Sequence, residues 1–161
     1  MAKLDVIDKM ILATVQKSGR MTNVELSATV GISAPPCLRR LKLLETAGII
    51  TGYHAEINRD VLGYTIFAIC IVSISQQSYK NVKHFIKIIS GMQNVRSCLS
   101  TVGGEFFALT IVAKDLNEYN KVLTTDLQGS NIVASIKSFI LVNEHKKEVG
   151  IPIDCTSEND G

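Results

Sequence analysis

Apolar residues recur three and four apart at the start of the chain, through Leu4, Ile7, Ile11, Leu12 and Val15, with Asp5 and Asp8 early in the segment. Carboxylates there complement a helix dipole, so the pattern predicts a first helix ending near Ser18-Gly19. The stretch Thr22 to Glu25 reads as a capping box, in which the threonine accepts from the backbone and the glutamate reaches back. A short second helix follows through Leu26 and Val30, and Gly31 stops it. A third helix carries Cys37, Leu41 and Leu44 on one face and ends at Gly48, after which Ile49 to Asn58 reads as an extended exit segment. Three short helices with a tight glycine turn between the second and third match a helix-turn-helix, and a plain three-helix bundle fits the same pattern.

From Gly63 the period changes. Tyr64 to Ile74 is rich in β-branched and aromatic residues, Asn81 to Met92 has helical spacing through Val82, Phe85, Ile86 and Ile89, and Val95–Val102 and Phe106–Asp115 read as strands. Leu116 to Leu127 reads as a helix and Ile132 to Val142 as a strand, giving the order β-α-β-β-α-β of a ferredoxin-like domain. The fold class expected is α+β. A three-helix helix-turn-helix domain occupies 1–51, a linker strand 52–62, a ferredoxin-like domain 63–149, and a short, mostly polar tail 150–161 is expected to be unstructured.

A two-layer sandwich with both helices on one face should alternate apolar and polar residues on the other. The first strand does not: Ile66, Ala68, Cys70, Val72 and Ile74 point one way, and Phe67, Ile69 and Ile71 the other. Both faces call for burial. A second copy of the chain in a two-fold dimer would cover the outer face; the exit segment or the N-terminal lobe would also do so.

Charge sharpens the picture of the N-terminal part. The net charge is only +2, but residues 1–60 hold eight Lys/Arg against six Asp/Glu while residues 61–161 hold nine of each. The excess lies where a polyanionic partner would bind. Cys37, Cys70, Cys98 and Cys155 are far apart with no C-x-x-C, which suits reduced thiols and a cytoplasmic protein. No signal peptide is visible, and the most apolar run, Tyr64 to Ile74, is far short of the ~20 residues a membrane-spanning helix needs. His54, His84 and His145 have no metal-ligand spacing, and there is no phosphate loop, partnered nucleophile or paired carboxylates. Neither an enzyme nor a cofactor is expected.

On a wheel of ~100° per residue the buried side of the third helix leaves Arg39 and Lys42 outward and Arg40 at the flank, with no acid from Ser33 to Leu44. Such a helix suits a major groove between phosphate rails; a solvated structural helix would look the same. Its start is unusual. If Ser33 were the N-cap, its hydroxyl would accept from an N–H two or three residues on, and Pro35 and Pro36 stand there without one. Proline also disfavours helical backbone in the residue before it, so Ala34 and Pro35 are expected to be extended and the helix to begin at Pro36. That frees the Ser33 hydroxyl for a phosphate or base edge.

The segments LDVIDKMIL, GR, ELSATVGIS, PPCLRRLKLLETAGIITGY and LGY resemble the Lrp/AsnC (feast/famine) family of bacterial and archaeal transcription regulators, and the likeness runs to about residue 149. The resemblance implies a DNA-binding dimer that often assembles into tetramers or octamers, set by an amino acid bound between dimers. An architectural protein that coats DNA without an effector is the alternative. Carried across by position, Ser33, Pro35, Arg39, Arg40 and Lys42 fall in the DNA-contacting helix, with the arginines expected to read guanine or anchor phosphate, and Arg20 and Thr22 look like phosphate contacts. The effector turn falls on Thr101, Val102, Gly103, Gly104, Glu105 and Phe106. The family usually has a glycine followed three residues later by an aspartate there; here Gly103 pairs with Phe106, or Gly104 with Phe107, so neither register supplies the carboxylate.

Overall fold

In the computed structural model, which describes residues 4–76, 78–101, 106–147 and 150–156, Asp5 and Thr22 start the first two helices in the same way. Ahead of α1 (Val6–Lys17) the Asp5 carboxylate accepts from the Asp8 N–H at 2.8 Å, and Asp8 accepts in return from the Asp5 N–H at 3.3 Å. Ahead of α2 (Asn23–Val30) the Thr22 hydroxyl accepts from the Glu25 N–H at 3.2 Å, and Glu25 accepts from the Thr22 N–H at 2.8 Å. Each arrangement satisfies two backbone donors that the first helical turn leaves unpaired. With α3 (Ala34–Thr46) these helices bury Ile11, Leu26, Val30, Cys37 and Leu44 in one core. Removing a side chain of that size from water contributes about 1.5 to 3 kcal/mol.

The chain divides into two compact units, Met1–Glu56 with Lys146–Gly161, and Ile57–His145. Between them the segment 52–62, expected as a linker strand, pairs with no described segment of this chain. No strand is found over 51–58, and Asn58 Oδ1 then accepts from the Asp60 N–H at 3.0 Å to fold the chain into a turn. Gly63, at φ 80°, closes that turn with its N–H on the Asp60 carbonyl at 2.9 Å. A strand needs a paired backbone neighbour, and no described segment of this chain supplies one here.

The second unit holds β1 (Ile66–Ile74), α4 (Tyr79–Ser90), β2 (Val95–Ser100), β3 (Phe106–Ala113), α5 (Leu116–Lys121) and β4 (Val133–Ile140). The strands pair antiparallel in the order β2-β3-β1-β4, the ferredoxin-like arrangement. Ala68, Cys70, Val72 and Ile74 of β1 and Phe107, Leu109, Ile111 and Ala113 of β3 share one buried face with Phe85 and Ile89 of α4 and Tyr119 of α5. The helix expected over 116–127 changes pitch: after Lys121 it widens into a π-helical segment, Val122–Leu127, and tightens into a 3₁₀ turn, Gln128–Ser130. A hydrogen-bond step of five residues brings Val122 and Leu127, five apart, onto the same buried side.

Of the tail expected to be unstructured, the segment around Ile151 and Ile153 is held. Gln16 of α1 offers its side-chain amide to Ile151 as a strand would, Nε2 donating to the Ile151 carbonyl at 2.8 Å and Oε1 accepting from the Ile151 N–H at 3.2 Å. Ile151 and Ile153 line a pocket with Leu12, Val15, Ile50 and Tyr53. The polar composition of the tail hid these two apolar residues at alternate positions. Gly150 turns the chain at φ 84°, and an added Cβ would lie 2.3 Å from Gln16 Cδ. Gly150→Ala should therefore displace the Gln16 clasp at a backbone cost of about 1 kcal/mol or more. The expected outcome is faster tryptic cleavage after Lys146 and Lys147, followed by mass spectrometry, with the sheet unit left intact.

Candidate nucleic-acid interface

Between α2 and α3 the chain reverses at Gly31, whose φ of 79° is a left-handed helix stop, and the N–H groups of Gly31 and Ile32 both reach the Ser27 carbonyl at 2.9 and 3.1 Å. Ser33 is extended, at φ −72° and ψ 155°, and α3 begins at Ala34. The expected start at Pro36 is thus two residues late. The first three N–H groups of a helix have no intrahelical acceptor, so prolines at the second and third positions cost no bond, and this outweighs the preference of Ala34 and Pro35 for extended backbone. The first ladder bond runs from the Cys37 N–H to the Ser33 carbonyl at 3.2 Å. The Ser33 side chain makes no capping bond and is exposed.

Asn23 braces this start. Its Nδ2 donates to the Ala34 carbonyl at 2.9 Å, tying the first turn of α2 to the first turn of α3. Nothing in the local spacing marks an eleven-residue bridge of that kind, and the sequence reading missed it.

The three basic residues of α3 separate into two kinds. Arg39 and Lys42 are exposed and make no ion pair among the described residues, and Pro35 is exposed in the first turn beside Ser33. Arg40, expected beside them as a base reader, is turned to α1: its Nη1 lies 2.6 Å from Asp5 and 2.8 Å from Asp8. Burial pushes the Asp5 carboxyl up, but the Asp8 N–H and the Arg40 guanidinium outweigh it and leave the group below its ordinary value. The signal was present in the sequence, since Asp5 and Asp8 are three apart on one helix face and Arg40 falls at the flank of its own. Two exposed leucines, Leu38 at 39% and Leu43 at 62%, also stand on α3, where they would meet thymine methyls or a partner.

Ahead of α2, Arg20 is exposed and unpaired among the described residues. Thr22 is not available in the same way. Its hydroxyl donates to Glu25 Oε2 at 2.8 Å while accepting from the Glu25 N–H, and the bonds from Thr22 hold the Glu25 carboxyl below its ordinary value. Thr22 is thus engaged as a cap, with the Glu25 carboxylate beside its hydroxyl.

In the other unit, Thr101 and Phe106 close the β2–β3 hairpin, with the Thr101 N–H and hydroxyl both donating to the Phe106 carbonyl at 3.1 and 2.9 Å. Val102, Gly103, Gly104 and Glu105 lie outside the described residues. Phe106 is 45% exposed and its neighbour Leu99 63%, an apolar border to the turn. Among the described residues there is no cluster of side chains able to hold a metal ion, and no helix is long and apolar enough to cross a membrane.

The family model for a winged helix-turn-helix DNA-binding domain matches residues 4–51, and that for the Lrp/AsnC ligand binding domain matches residues 68–151. The leucine-responsive regulatory protein of Rhizobium meliloti is 38% identical over 151 residues, 94% of this chain and 97% of that protein. The chain belongs to the Lrp/AsnC family of transcription regulators. The transcriptional regulator AzlB of Bacillus subtilis is 29% identical over 94% of this chain and 96% of its own. Among solved structures, a Neisseria meningitidis transcriptional regulator in complex with L-Met superposes with a TM-score of 0.89 at 32% identity, over 94% of this chain and 97% of that one. Like other Lrp/AsnC regulators, the chain pairs a DNA-binding helix-turn-helix with a ligand-binding domain.

Within this Lrp/AsnC chain the Arg40 fork fixes α3 against α1, so Arg40→Ala should lower the melting temperature in step with a loss of about 1 kcal/mol, the upper range for exposed pairs. A carboxyl held below its ordinary value stabilises the fold above that value and stops doing so as the pH falls through the lowered one. For Asp5 the ordinary value is 3.8. Melting curves at neutral pH and in acid should therefore separate wild type from Arg40→Ala at neutral pH and converge in acid.

Proposed function

We propose that this regulator binds its operator by laying α3 in the major groove, with Arg39 and Lys42 touching bases or phosphates. Ser33 and Pro35 face the backbone at the helix start, and Arg20 provides a second phosphate contact. The observation that carries the reading is the division of labour on α3: Arg39 and Lys42 are exposed and unpaired among the described residues, while Arg40 is engaged with Asp5 and Asp8. Arg40 then acts through geometry, setting the angle at which its neighbours meet DNA. Arg39→Ala and Lys42→Ala should each weaken operator binding in gel shift while the melting temperature holds. Arg40→Ala should lower both. Unchanged operator binding by the Arg39 and Lys42 variants would remove this interface from consideration.

The chain acts as a homodimer or a higher multiple of one. On the side of the sheet away from its helices, Phe67, Ile69 and Ile71 of β1 are only half-buried, and Phe139 of β4 is 57% exposed beside Ile69. The Arg59 guanidinium sits 4.6 Å from the Phe67 ring centroid and screens one edge. An apolar sheet face of this kind is covered in a stable soluble protein, and a second copy supplies the matching face.

The effector is a small molecule bound near the β2–β3 turn, and an amino acid with an apolar side chain fits best. The Neisseria regulator at 32% identity holds L-Met, and Leu99 and Phe106 offer an apolar surface beside the turn. Lacking the aspartate at Phe106, the site forgoes a charge-assisted bond of roughly 1.5 to 3 kcal/mol, which corresponds to about one to two orders of magnitude in affinity. The protein works in the cytoplasm and performs no catalysis. Light-scattering mass, with and without L-Met, checks assembly and effector together: wild type should run as a dimer or a multiple of it and shift with L-Met, and Ile69→Lys should run as a monomer. A monomeric wild type, or a mass indifferent to L-Met, would count against the respective half of the reading.

A further inference from the structure

The charge of the ligand-binding unit is unevenly spread. No Asp or Glu occurs from Val61 to Gly104, a stretch that carries Lys80, Lys83, Lys87 and Arg96. Three of these cations lie on α4. Positions 80, 83 and 87 are spaced three and four apart, which puts them on one face of the helix, and His84 continues the same row from Lys80. All four side chains are exposed, and none of the lysines makes an ion pair among the described residues. They line an open groove of about 590 Å³ together with Tyr79, Asn81 and Ile132.

Tyr79 adds a second feature. It is 82% exposed, among the most solvated large side chains in the molecule, and the Lys83 ammonium lies 6.0 Å from its ring centroid. The opposite side of the same helix is apolar and buries Phe85 and Ile89 in the core. Packing therefore accounts for one side of α4 and leaves the cationic side without a role in holding the fold. Uncompensated lysines repel one another, and the arrangement persists here without an acid on the helix to relieve it. Row spacing gives the rest of the argument. Lys80 and Lys87 are seven residues apart, roughly 10 Å along the helix, and duplex DNA presents a phosphate about every 3.4 Å of axis on each strand. Three flexible ammonium groups over that length meet one strand's phosphates without any base being read.

We propose that the Lys80, Lys83 and Lys87 face of α4 is a second DNA contact, which grips the phosphate backbone of sequence flanking the operator with no base preference. The inference rests on the DNA-binding assignment of the helix-turn-helix unit, and its test keeps the two apart. Tyr79 and His84 flank the row and extend its reach with hydrogen-bonding groups. The occupant is DNA, since the chain already brings DNA to itself; a small phosphorylated metabolite is the competing outcome.

The test compares two duplexes, one trimmed to the operator and one carrying the same operator in long flanking DNA, across a salt series. The triple variant Lys80→Gln, Lys83→Gln, Lys87→Gln should bind the trimmed duplex as wild type does, which shows the helix-turn-helix unit intact. On the long duplex it should lose on the order of tenfold in affinity at moderate salt. Its salt slope should fall by roughly 2 to 3 for each stripe engaged, at about 0.9 per phosphate contact. A control with a charge change at least as large, Lys114→Glu with Lys121→Glu, should leave the long-duplex slope near wild type. Equal affinity of triple variant and wild type for the long duplex overturns the proposal, and so does a parallel loss on both duplexes or an equal loss in the control. Saturation of the effect by millimolar inorganic phosphate, with no dependence on duplex length, would assign the groove to a small anion instead.

Discussion

The contact on which the DNA-binding unit turns is the fork of Arg40 between Asp5 and Asp8. Both aspartates already cap α1, so one pair of carboxylates closes the first turn of one helix and anchors the middle of another. One guanidinium nitrogen, Nη1, carries two N–H donors and meets both carboxylates. The fork sets a cation against two acids of α1 and ties up the Arg40 guanidinium, although the pair stays partly open to solvent. Arg39, one residue earlier and about 100° round the helix, is thereby turned away from the fork. The direction in which the free cations point is thus set by where the paired one is held.

The same economy governs the start of α3. Ser33 has a cap residue's backbone and none of a cap's side-chain bonds, since Pro35 and Pro36 remove the donors it would have met. Rigidity comes from the rings themselves and from Asn23, which holds the Ala34 carbonyl from the neighbouring helix. A helix start fixed without its serine leaves that hydroxyl exposed at the positive end of the helix dipole, where an anion is favoured.

Much of this was legible in the sequence because it depends on local periodicity. The capping boxes, the glycine stop at Gly31, the buried Cys37 and Leu44, and the order β-α-β-β-α-β all follow from spacing rules that span a few residues. Part of what was misread depends on partners far along the chain. Arg40 was placed at the flank of α3 as a DNA contact because a helical wheel cannot see Asp5 and Asp8 across 35 and 32 residues. The linker strand was expected from extended-looking residues, yet extended backbone becomes a strand only when another backbone lies beside it. The start of α3 was set too late because a pairwise preference, proline against its predecessor, was weighed without the compensating fact that first-turn donors have no partner to lose. The effector turn was placed by register from the resemblance, and its central residues lie outside the described ones.

The clasp of Gln16 on Ile151 changes what kind of domain the helix-turn-helix unit is. It is assembled from both ends of the chain, residues 1–56 and 146–161, with the ligand-binding unit spliced between them. During synthesis the three helices emerge first, yet the wall that Ile151 and Ile153 add to the pocket beside Leu12, Val15 and Tyr53 is in place only after those residues leave the ribosome. The DNA-binding unit is thereby completed after the sheet has been made, so a nascent chain that stalls before residue 150 carries a recognition helix on an unfinished base.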